Sequence, residues 1–256
     1  MHPSRWTLQS ILDYFGVDKP WDVGWAHGVN RSAFLSECLS DPGVMMLEGD
    51  ILRDGNGKLL MAHPPVTEVD TTFREWLAAI EGAAAAGKRK GAKLDFKNPD
   101  SVEECLRLAA SSDAPAVMPV FVNADVVGGP NCREPYHDGR EFIRLCASYL
   151  PGAVLSLGFC VGERELGDES HMSRMMREML DLCGLWPGHV TVCLCSSYLN
   201  TGYDLIEKHL LPTRHSLTLW NYEPVSPELA TWIRDHFDPD QTFYDFKDEA
   251  GRPVRL

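Results

Sequence analysis

Ionisable side chains collect where three consecutive apolar runs of this sequence end. In chain order they are His27, Glu48, Asp50, His63, Asp95 and Lys97. Glu48, Asp50 and Asp95 offer hard oxygen ligands of the kind that Mg²⁺ or Ca²⁺ prefers. Without a cation, three carboxylates crowded together would repel and raise one another's pKa. The three acids therefore predict a site for one divalent cation, Mg²⁺ or Ca²⁺.

The other polar residues near these runs suit a reaction at phosphorus. His27 and His63 are imidazoles that titrate near neutrality, which suits a base or nucleophile and an acid. Lysine and asparagine side chains can donate hydrogen bonds to anionic oxygens as charge develops. The candidates of this second kind are Lys97, Lys93, Asn30 and Asn123. A metal, two histidines and a lysine together indicate cleavage of a phosphodiester.

Each of these residues has an ordinary structural explanation when it is taken alone. A lone histidine near a strand end is more often structural than catalytic, and a Glu-x-Asp pair is usually a solvated strand end. The functional prediction depends on coincidence, because six ionisable groups fall at the same end of three consecutive strand–helix units. Surface polarity by itself is a poor explanation of that clustering.

The segment GAKLDFK (91–97) shows how a strand would position such groups. Lys93, Asp95 and Lys97 occupy every second position, and Leu94 and Phe96 lie between them. A strand directs alternate side chains to opposite faces, so the three charges share one face. We therefore predict a strand with Leu94 and Phe96 against helices and with the charged face at the site.

Eight short apolar runs alternate with amphipathic stretches along the chain. The predicted strands cover 23–27, 44–52, 92–97, 117–125, 153–159, 189–195, 215–220 and 241–246. Helix-like stretches between them include 70–86, 101–111, 140–150, 172–183 and 227–237. This alternation indicates βαβ units and a parallel sheet. Eight such strands in 256 residues favour an α/β fold of the (β/α)₈ barrel type, as a single domain over 1–256.

A barrel of this type carries its catalytic groups at the C-terminal ends of the strands and in the loops that follow them. Those positions hold the residues named above and also Asp125, Trp220 and the pair Tyr244-Asp245. The stretch 128–139, GGPNCREPYHDG, is the most loop-like part of the chain. The predicted site therefore lies at one end of the barrel.

Composition argues against some classes of binding partner and bears on the compartment of the chain. The formal net charge is −13, which argues against a nucleic-acid groove or a basic membrane-binding face. We see no 18-residue apolar run and no secretory leader pattern, so we expect neither a transmembrane segment nor a signal peptide. The eight cysteines are scattered, without a CxxC pair, which favours reduced structural thiols and a cytoplasmic chain.

Eight segments together resemble the menorin family. In order, over a core of about 23–246, they are WAHGVN, LEGDI, MAHPP, KLDFK, VNADVVGGPN, LSLGF, HSLTLW and IRDHFDPDQTFYD. That family is similar to the glycerophosphodiester phosphodiesterase superfamily and to the spider-venom sphingomyelinase D enzymes. The resemblance implies a TIM barrel of the phospholipase-C-like phosphodiesterase type.

The resemblance also implies roles for individual residues. The positions that match are His27, Glu48, Asp50, His63, Asp95, Lys97 and Trp220. In the resembled enzymes one imidazole attacks or deprotonates and the other protonates the leaving oxygen, and the substrate is a small phosphodiester or lysophospholipid-like molecule. Two departures stand out. The chain reads His27-Gly28-Val29-Asn30 where the superfamily usually has His-Arg-Gly, and Cys195 stands where menorin relatives are expected to carry Arg.

Three functions compete at this stage. The first is a metal-dependent phosphodiesterase acting on a phospholipid-derived substrate or a small glycerophosphodiester. The second is a non-catalytic barrel that binds a ligand or protein partner through the same mouth. The third, glycoside hydrolysis by Glu48 and Asp50, leaves both histidines and Lys97 without roles. The pair of histidines favours the first, because binding alone does not need two imidazoles beside a metal.

Overall fold

Strands and helices alternate through the computed structural model, which describes residues 6–66, 68–132, 134–162, 167–249 and 252–254. The strands are β1 (Trp25–Ala26), β2 (Met46–Arg53), β3 (Leu59–Met61), β4 (Gly91–Phe96), β5 (Val120–Val127), β6 (Val154–Phe159), β7 (Val190–Cys195), β8 (Ser216–Trp220) and β9 (Thr242–Asp245). The helices are α1 (Leu8–Phe15), α2 (Ser32–Ser40), α3 (Phe73–Ala85), α4 (Pro99–Ala110), α5 (Ala114–Val117), α6 (Gly139–Tyr149), α7 (Glu169–Cys183), α8 (Leu199–His209) and α9 (Pro227–His236). Short 3₁₀ turns cover Pro20–Asp22 and Ser196–Tyr198.

Eight of the strands form one parallel sheet that curls into a nearly closed barrel. Their order is β1-β2-β4-β5-β6-β7-β8-β9, and β3 pairs antiparallel with β2 outside this series. The predicted (β/α)₈ TIM barrel is therefore confirmed. The last and first strands, β9 and β1, lie side by side, but the described residues show no strand pairing between them. The seam stays open to this extent because β1 is only two residues long.

Each predicted apolar run overlaps one barrel strand. GAKLDFK contains β4, the third strand of the barrel, and its apolar face packs outward as expected. Phe96 meets Phe142 of α6 edge to face, with ring centroids 6.0 Å apart. The sequence analysis did not predict β3. The run predicted to begin at residue 117 starts at the last residue of α5, and β5 begins only at Val120.

Local capping explains where several helices begin. Thr72 and Glu75 form a capping box at the start of α3, and Asp138 and Asp168 cap α6 and α7. Ser226 caps α9, whose first residue is proline, the residue best suited to that position. None of the helices in the described ranges is both long and apolar enough to span a membrane.

The interior of the barrel is apolar at its N-terminal end and charged farther up. Trp25, Phe121 and Phe243 pack edge to face there, with ring centroids between 5.5 and 5.9 Å apart. Helix α1 packs on this layer and covers that end of the barrel. Lys93 lies next above, with Nζ 5.8 Å from the centre of the Trp25 ring. Charged side chains are thus held on an apolar floor.

The cysteines correct one prediction. Cys132, in the loop after β5, and Cys160, which directly follows β6, form a disulfide, so the chain is not uniformly reduced. The other six are free and buried: Cys38, Cys105, Cys146, Cys183, Cys193 and Cys195. The disulfide could not be predicted from the sequence, because the two cysteines are 28 residues apart and only folding brings their Cα atoms to 5.8 Å. Disulfides persist mainly in oxidising compartments, so cysteine usage no longer favours a cytosolic chain.

The glycine between Glu48 and Asp50 is required by packing on the outer face of β2. A Cβ at Gly49 would lie 2.5 Å from Met61 Cε and 2.9 Å from Trp76 Cζ2. The Trp76 ring is held in place because its Nε1 donates to the Val29 carbonyl (2.7 Å). We expect Gly49→Ala to lower the free energy of unfolding by about 1–3 kcal/mol through overpacking. Urea denaturation would measure this.

Gly82→Ala is the matched control for this substitution. Gly82 lies on the exposed face of α3, and a Cβ there meets nothing within 4 Å. Alanine at that position should raise the free energy of unfolding by about 0.5–1 kcal/mol through helix propensity. Equal unfolding midpoints for the two variants would contradict the packing argument.

Candidate active site

A cavity of about 330 Å³ opens at the C-terminal ends of the barrel strands. It is lined by His27, Gly28, Asn30, Asp50, His63, Lys93, Asp95, Lys97, Asn123, Asp125, Cys193, Trp220, Tyr222 and Lys247. All but one of the residues predicted for the site are among them. The exception is Glu48, which is fully buried beside the cavity, between His27 and Asp50. The structure thus brings the predicted residues together.

Three carboxylates converge at the base of this cavity. One oxygen from each of Glu48, Asp50 and Asp95 lies within 4.8 Å of the other two. Burial raises the pKa of Glu48 to about 7, with the charge of His27 opposing the shift and that of Asp50 adding to it. One Glu48 oxygen, Oε2, accepts from the Gly28 backbone N–H (2.6 Å), whereas Oε1 is buried without a hydrogen-bond partner. A buried carboxylate oxygen without a partner calls for a cation or a proton.

Gly28 makes the contact with Glu48 possible. Its φ of 67° lies in the left-handed region, which glycine adopts without strain. This conformation directs the backbone N–H at Glu48 directly after β1. The unusual sequence His27-Gly28 therefore has a structural function, since it brings a backbone donor to the carboxylate cluster.

Lys97 offsets part of the acidic charge. Its ammonium lies 2.9 Å from Asp50 Oδ1 and 2.7 Å from Asp95 Oδ2. Burial opposes ionisation of both acids, but the charge of Lys97 outweighs it and lowers the pKa of Asp50 and of Asp95. When Glu48 is ionised as well, the three carboxylates and the Lys97 ammonium carry a net charge of −2. The donor set and this charge fit one divalent cation.

Two asparagines orient these carboxylates. Asn30 Nδ2 donates to Asp50 Oδ2 (2.6 Å), and its Oδ1 accepts from the Asp50 backbone N–H (2.8 Å). Asn123 Nδ2 donates to Asp95 Oδ1 (2.8 Å), and its own oxygen accepts from Ser156 Oγ (2.7 Å). Sequence reasoning predicted substrate contacts for both asparagines. In the structure both line the cavity, and their amides hold the acids in position.

His27 is held between two acids and an aromatic ring. Its Nδ1 donates to Asp245 Oδ1 (3.1 Å), and its Nε2 lies 3.8 Å from Glu48 Oε2. Burial lowers the pKa of His27, but the charges of Glu48 and Asp245 outweigh this and raise it above its usual value. Trp220 stacks beside the imidazole, with ring centroids 6.3 Å apart. The imidazole therefore has a fixed orientation and a stabilised protonated form.

Asp245 is a site residue to which sequence reasoning gave no role. It belongs to the last strand and accepts from His27 of the first strand and from Lys93 Nζ (3.0 Å). Burial opposes its ionisation, but the charges of His27 and Lys93 outweigh this and lower the pKa of Asp245. The available signal was a lone acid inside an apolar final strand. Lys93, predicted as a phosphate ligand, is 3% exposed and has this carboxylate as its partner.

His63 lies in the loop after β3 and is exposed at the cavity mouth. Its Nδ1 donates to the Pro64 carbonyl at 2.6 Å, which leaves Nε2 for a second partner. The ring therefore lines the same cavity as His27 and reaches it from solvent. This placement suits a group that exchanges protons with water.

The Lys93–Asp245 ion pair should be essential to stability. Asp245→Asn would leave the Lys93 ammonium without its ion-pair partner, and Lys93 is itself buried. Breaking a buried pair on one side costs about 3–5 kcal/mol, and we expect a loss of that size in the free energy of unfolding. Denaturant titration would measure it.

The double variant Lys93→Met/Asp245→Asn is the control. Removal of both charges leaves no unpaired lysine, so the double variant should unfold at a higher denaturant concentration than Asp245→Asn alone. If the losses of unfolding free energy in Lys93→Met and Asp245→Asn simply add up to the loss in the double variant, the two side chains do not interact as described.

Known proteins resemble this chain in fold and in sequence. A glycerophosphoryl diester phosphodiesterase from Parabacteroides distasonis aligns over 99% of this chain and 91% of its own, at 12% identity and a TM-score of 0.52. A ribulose-1,5-bisphosphate carboxylase/oxygenase from Pyrococcus horikoshii aligns over 95% of this chain and 56% of its own, at 10% identity and a TM-score of 0.53. Because these two enzymes differ in activity, the structural likeness shows the fold alone.

Sequence comparison is more specific. Human protein FAM151B is 31% identical over 279 residues, which cover 99% of this chain and 98% of that protein. The family model of the menorin N-terminal domain matches residues 20–251, which include every strand of the barrel. The chain belongs to the menorin family.

Proposed function

We propose that this protein is a metal-dependent phosphodiesterase that cleaves a small phosphodiester, either phospholipid-derived or glycerophosphodiester-like. The observation that carries the proposal is a cluster of three convergent carboxylates at a cavity that Lys97 and two histidines line. A phosphodiesterase-like fold and membership of the menorin family support it. Glu48, Asp50 and Asp95 would hold one Mg²⁺ or Ca²⁺, which would polarise a phosphoryl oxygen and offset developing negative charge.

His27 is the base or nucleophile in this proposal. Its Nδ1–H is held by Asp245, so in the neutral imidazole Nε2 carries the free electron pair. When Nε2 takes a proton from an attacking water, or bonds to phosphorus as the bond from phosphorus to the leaving oxygen breaks, the imidazole becomes cationic. The carboxylates of Asp245 and Glu48 stabilise that charge. Asp245 thereby fixes both the tautomer and the orientation of His27.

His63 and Lys97 complete the chemistry. His63 Nε2 supplies a proton to the leaving oxygen, and solvent at the cavity mouth restores it. The Lys97 ammonium has three hydrogens, of which Asp50 and Asp95 take two. The third is available to a phosphoryl oxygen. Trp220 covers the imidazole of His27 and forms an apolar wall for the group bonded to phosphorus.

A substrate screen tests the proposal. Purified protein would be assayed against bis(p-nitrophenyl) phosphate, glycerophosphodiesters and lysophospholipids with Mg²⁺, Ca²⁺ or Mn²⁺, and against chelator-treated controls. Turnover that requires a cation supports the proposal. Saturable binding of phosphodiesters without turnover would instead favour a non-catalytic barrel that uses the same mouth.

A further inference from the structure

Asp125 lines the cavity but has no part in the chemistry described above. It lies on β5 two residues beyond Asn123, on the same face of the strand and nearer the mouth. Its carboxylate makes no hydrogen bond or ion pair with any described residue, whereas Asp50, Asp95 and Asp245 each make at least two. A carboxylate without a partner in a cavity is available to a ligand.

The neighbouring strand is shaped to admit this side chain. The β5–β6 pairing places Asp125 beside Gly158 and then shifts register before Val127. A Cβ at Gly158 would lie 2.1 Å from Asp125 Oδ1. Irregular pairing next to a functional site commonly redirects a side chain. The bulge in β5 and Gly158 on β6 together leave room for the Asp125 carboxylate between the two strands.

The surroundings of Asp125 indicate what it can bind. Burial raises the pKa of Asp125 to about 7, and the charge of Asp95 adds to the shift. In its ionised form Asp125 repels phosphoryl oxygens, which favours a position facing the part of the substrate that is not phosphate. Trp220 and Tyr222, with ring centroids 4.7 Å apart, form an aromatic wall of the same cavity. Hydrogen-bond donors on a small organic group fit this environment.

We infer that Asp125 is a specificity residue that accepts hydrogen bonds from hydroxyl groups on the group esterified to the phosphate. The inference rests on the proposed function and deepens it by assigning a polyol phosphodiester as substrate. Hydroxyl groups fit better than an ammonium group, because Lys247, which lines the same cavity, and a divalent cation held by the acidic cluster would both repel a second cation. No described protein donor competes for the carboxylate.

Calorimetric titration with three matched ligands tests this assignment. The ligands are bis(glyceryl) phosphate, dipropyl phosphate, which lacks hydroxyls, and propyl aminoethyl phosphate, which carries an ammonium. Wild type with saturating Mg²⁺ should bind the glyceryl ligand about 10- to 100-fold more tightly than the propyl ligand, because hydrogen bonds to a charged acceptor are lost with the hydroxyls. Asp125→Ala should reduce that ratio to about one, with dipropyl phosphate bound as in wild type.

Two further variants keep the test decisive. Gly158→Ala leaves Asp125 in place but displaces its carboxylate, so it should also lower the ratio, whereas Asp181→Ala, on the exposed face of α7, should not. Equal binding of glyceryl and propyl ligands by wild type, no binding of either, or tighter binding of the ammonium ligand would overturn the inference. Asp125-dependent binding without cleavage would retain it and refute the catalytic proposal. Cleavage of phosphodiesters without a preference for the glyceryl ligand would refute the inference and retain the catalytic proposal.

Discussion

His27→Ala should lower the turnover of the best phosphodiester substrate by about 10²- to 10⁴-fold while leaving the barrel folded. The imidazole is the group that the site orients most fully, with Asp245 on Nδ1, Glu48 3.8 Å from Nε2 and Trp220 stacked on the ring. Alanine removes the base but leaves the carboxylate cluster in place. The loss should therefore appear in kcat more than in KM.

His63→Ala should cause a loss of similar order, because the two imidazoles act on one reaction. Groups that act as a unit are not additive, so the double variant should be no slower than the slower single variant by more than about tenfold. His209→Ala is the matched control, since His209 lies on the outer helix α8 and outside the cavity. Steady-state kinetics, with circular dichroism as a check on folding, would measure these effects. Wild-type rates in His27→Ala would end the two-histidine mechanism.

The second large effect concerns the cation. Asp95→Asn should weaken Mg²⁺ or Ca²⁺ binding by more than about 100-fold, because residues that merely orient a ligand already contribute roughly 10- to 100-fold. Asn123→Ala should fall in that lower range, since Asn123 donates to Asp95 Oδ1. Titration calorimetry of chelator-treated protein would give both affinities.

Lys97→Met should change the metal affinity in the opposite direction to Asp95→Asn. Lys97 neutralises Asp50 and Asp95 at 2.9 and 2.7 Å, so its removal leaves two repelling carboxylates that gain from a cation. Metal affinity should rise in Lys97→Met, whereas turnover should fall. Identical cation binding by wild type, Asp95→Asn and Lys97→Met would show that the acidic cluster is not a metal site.

Local pattern was enough to predict the elements and the end of the barrel where the site lies. Alternating polarity in GAKLDFK indicated which face of β4 would meet the helices, and Phe96 does pack on α6. Eight apolar runs separated by amphipathic stretches predicted the parallel barrel, because periodicity is a property of neighbouring residues. In a parallel barrel all strand ends of one kind meet at one face, so the candidate residues could be grouped without coordinates.

Tertiary structure alone decided which charge meets which. Asp245 contacts His27 and Lys93, from which it is 218 and 152 residues distant in sequence, and only curling of the sheet brings the last strand beside the first. Pairing of β5 with β6 likewise places Gly158 beside Asp125 and brings Cys132, in the loop after β5, to Cys160, directly after β6. Residue type and spacing determine an element and the direction of its side chains. The partner of a buried charge depends instead on register and closure, which a linear pattern does not encode.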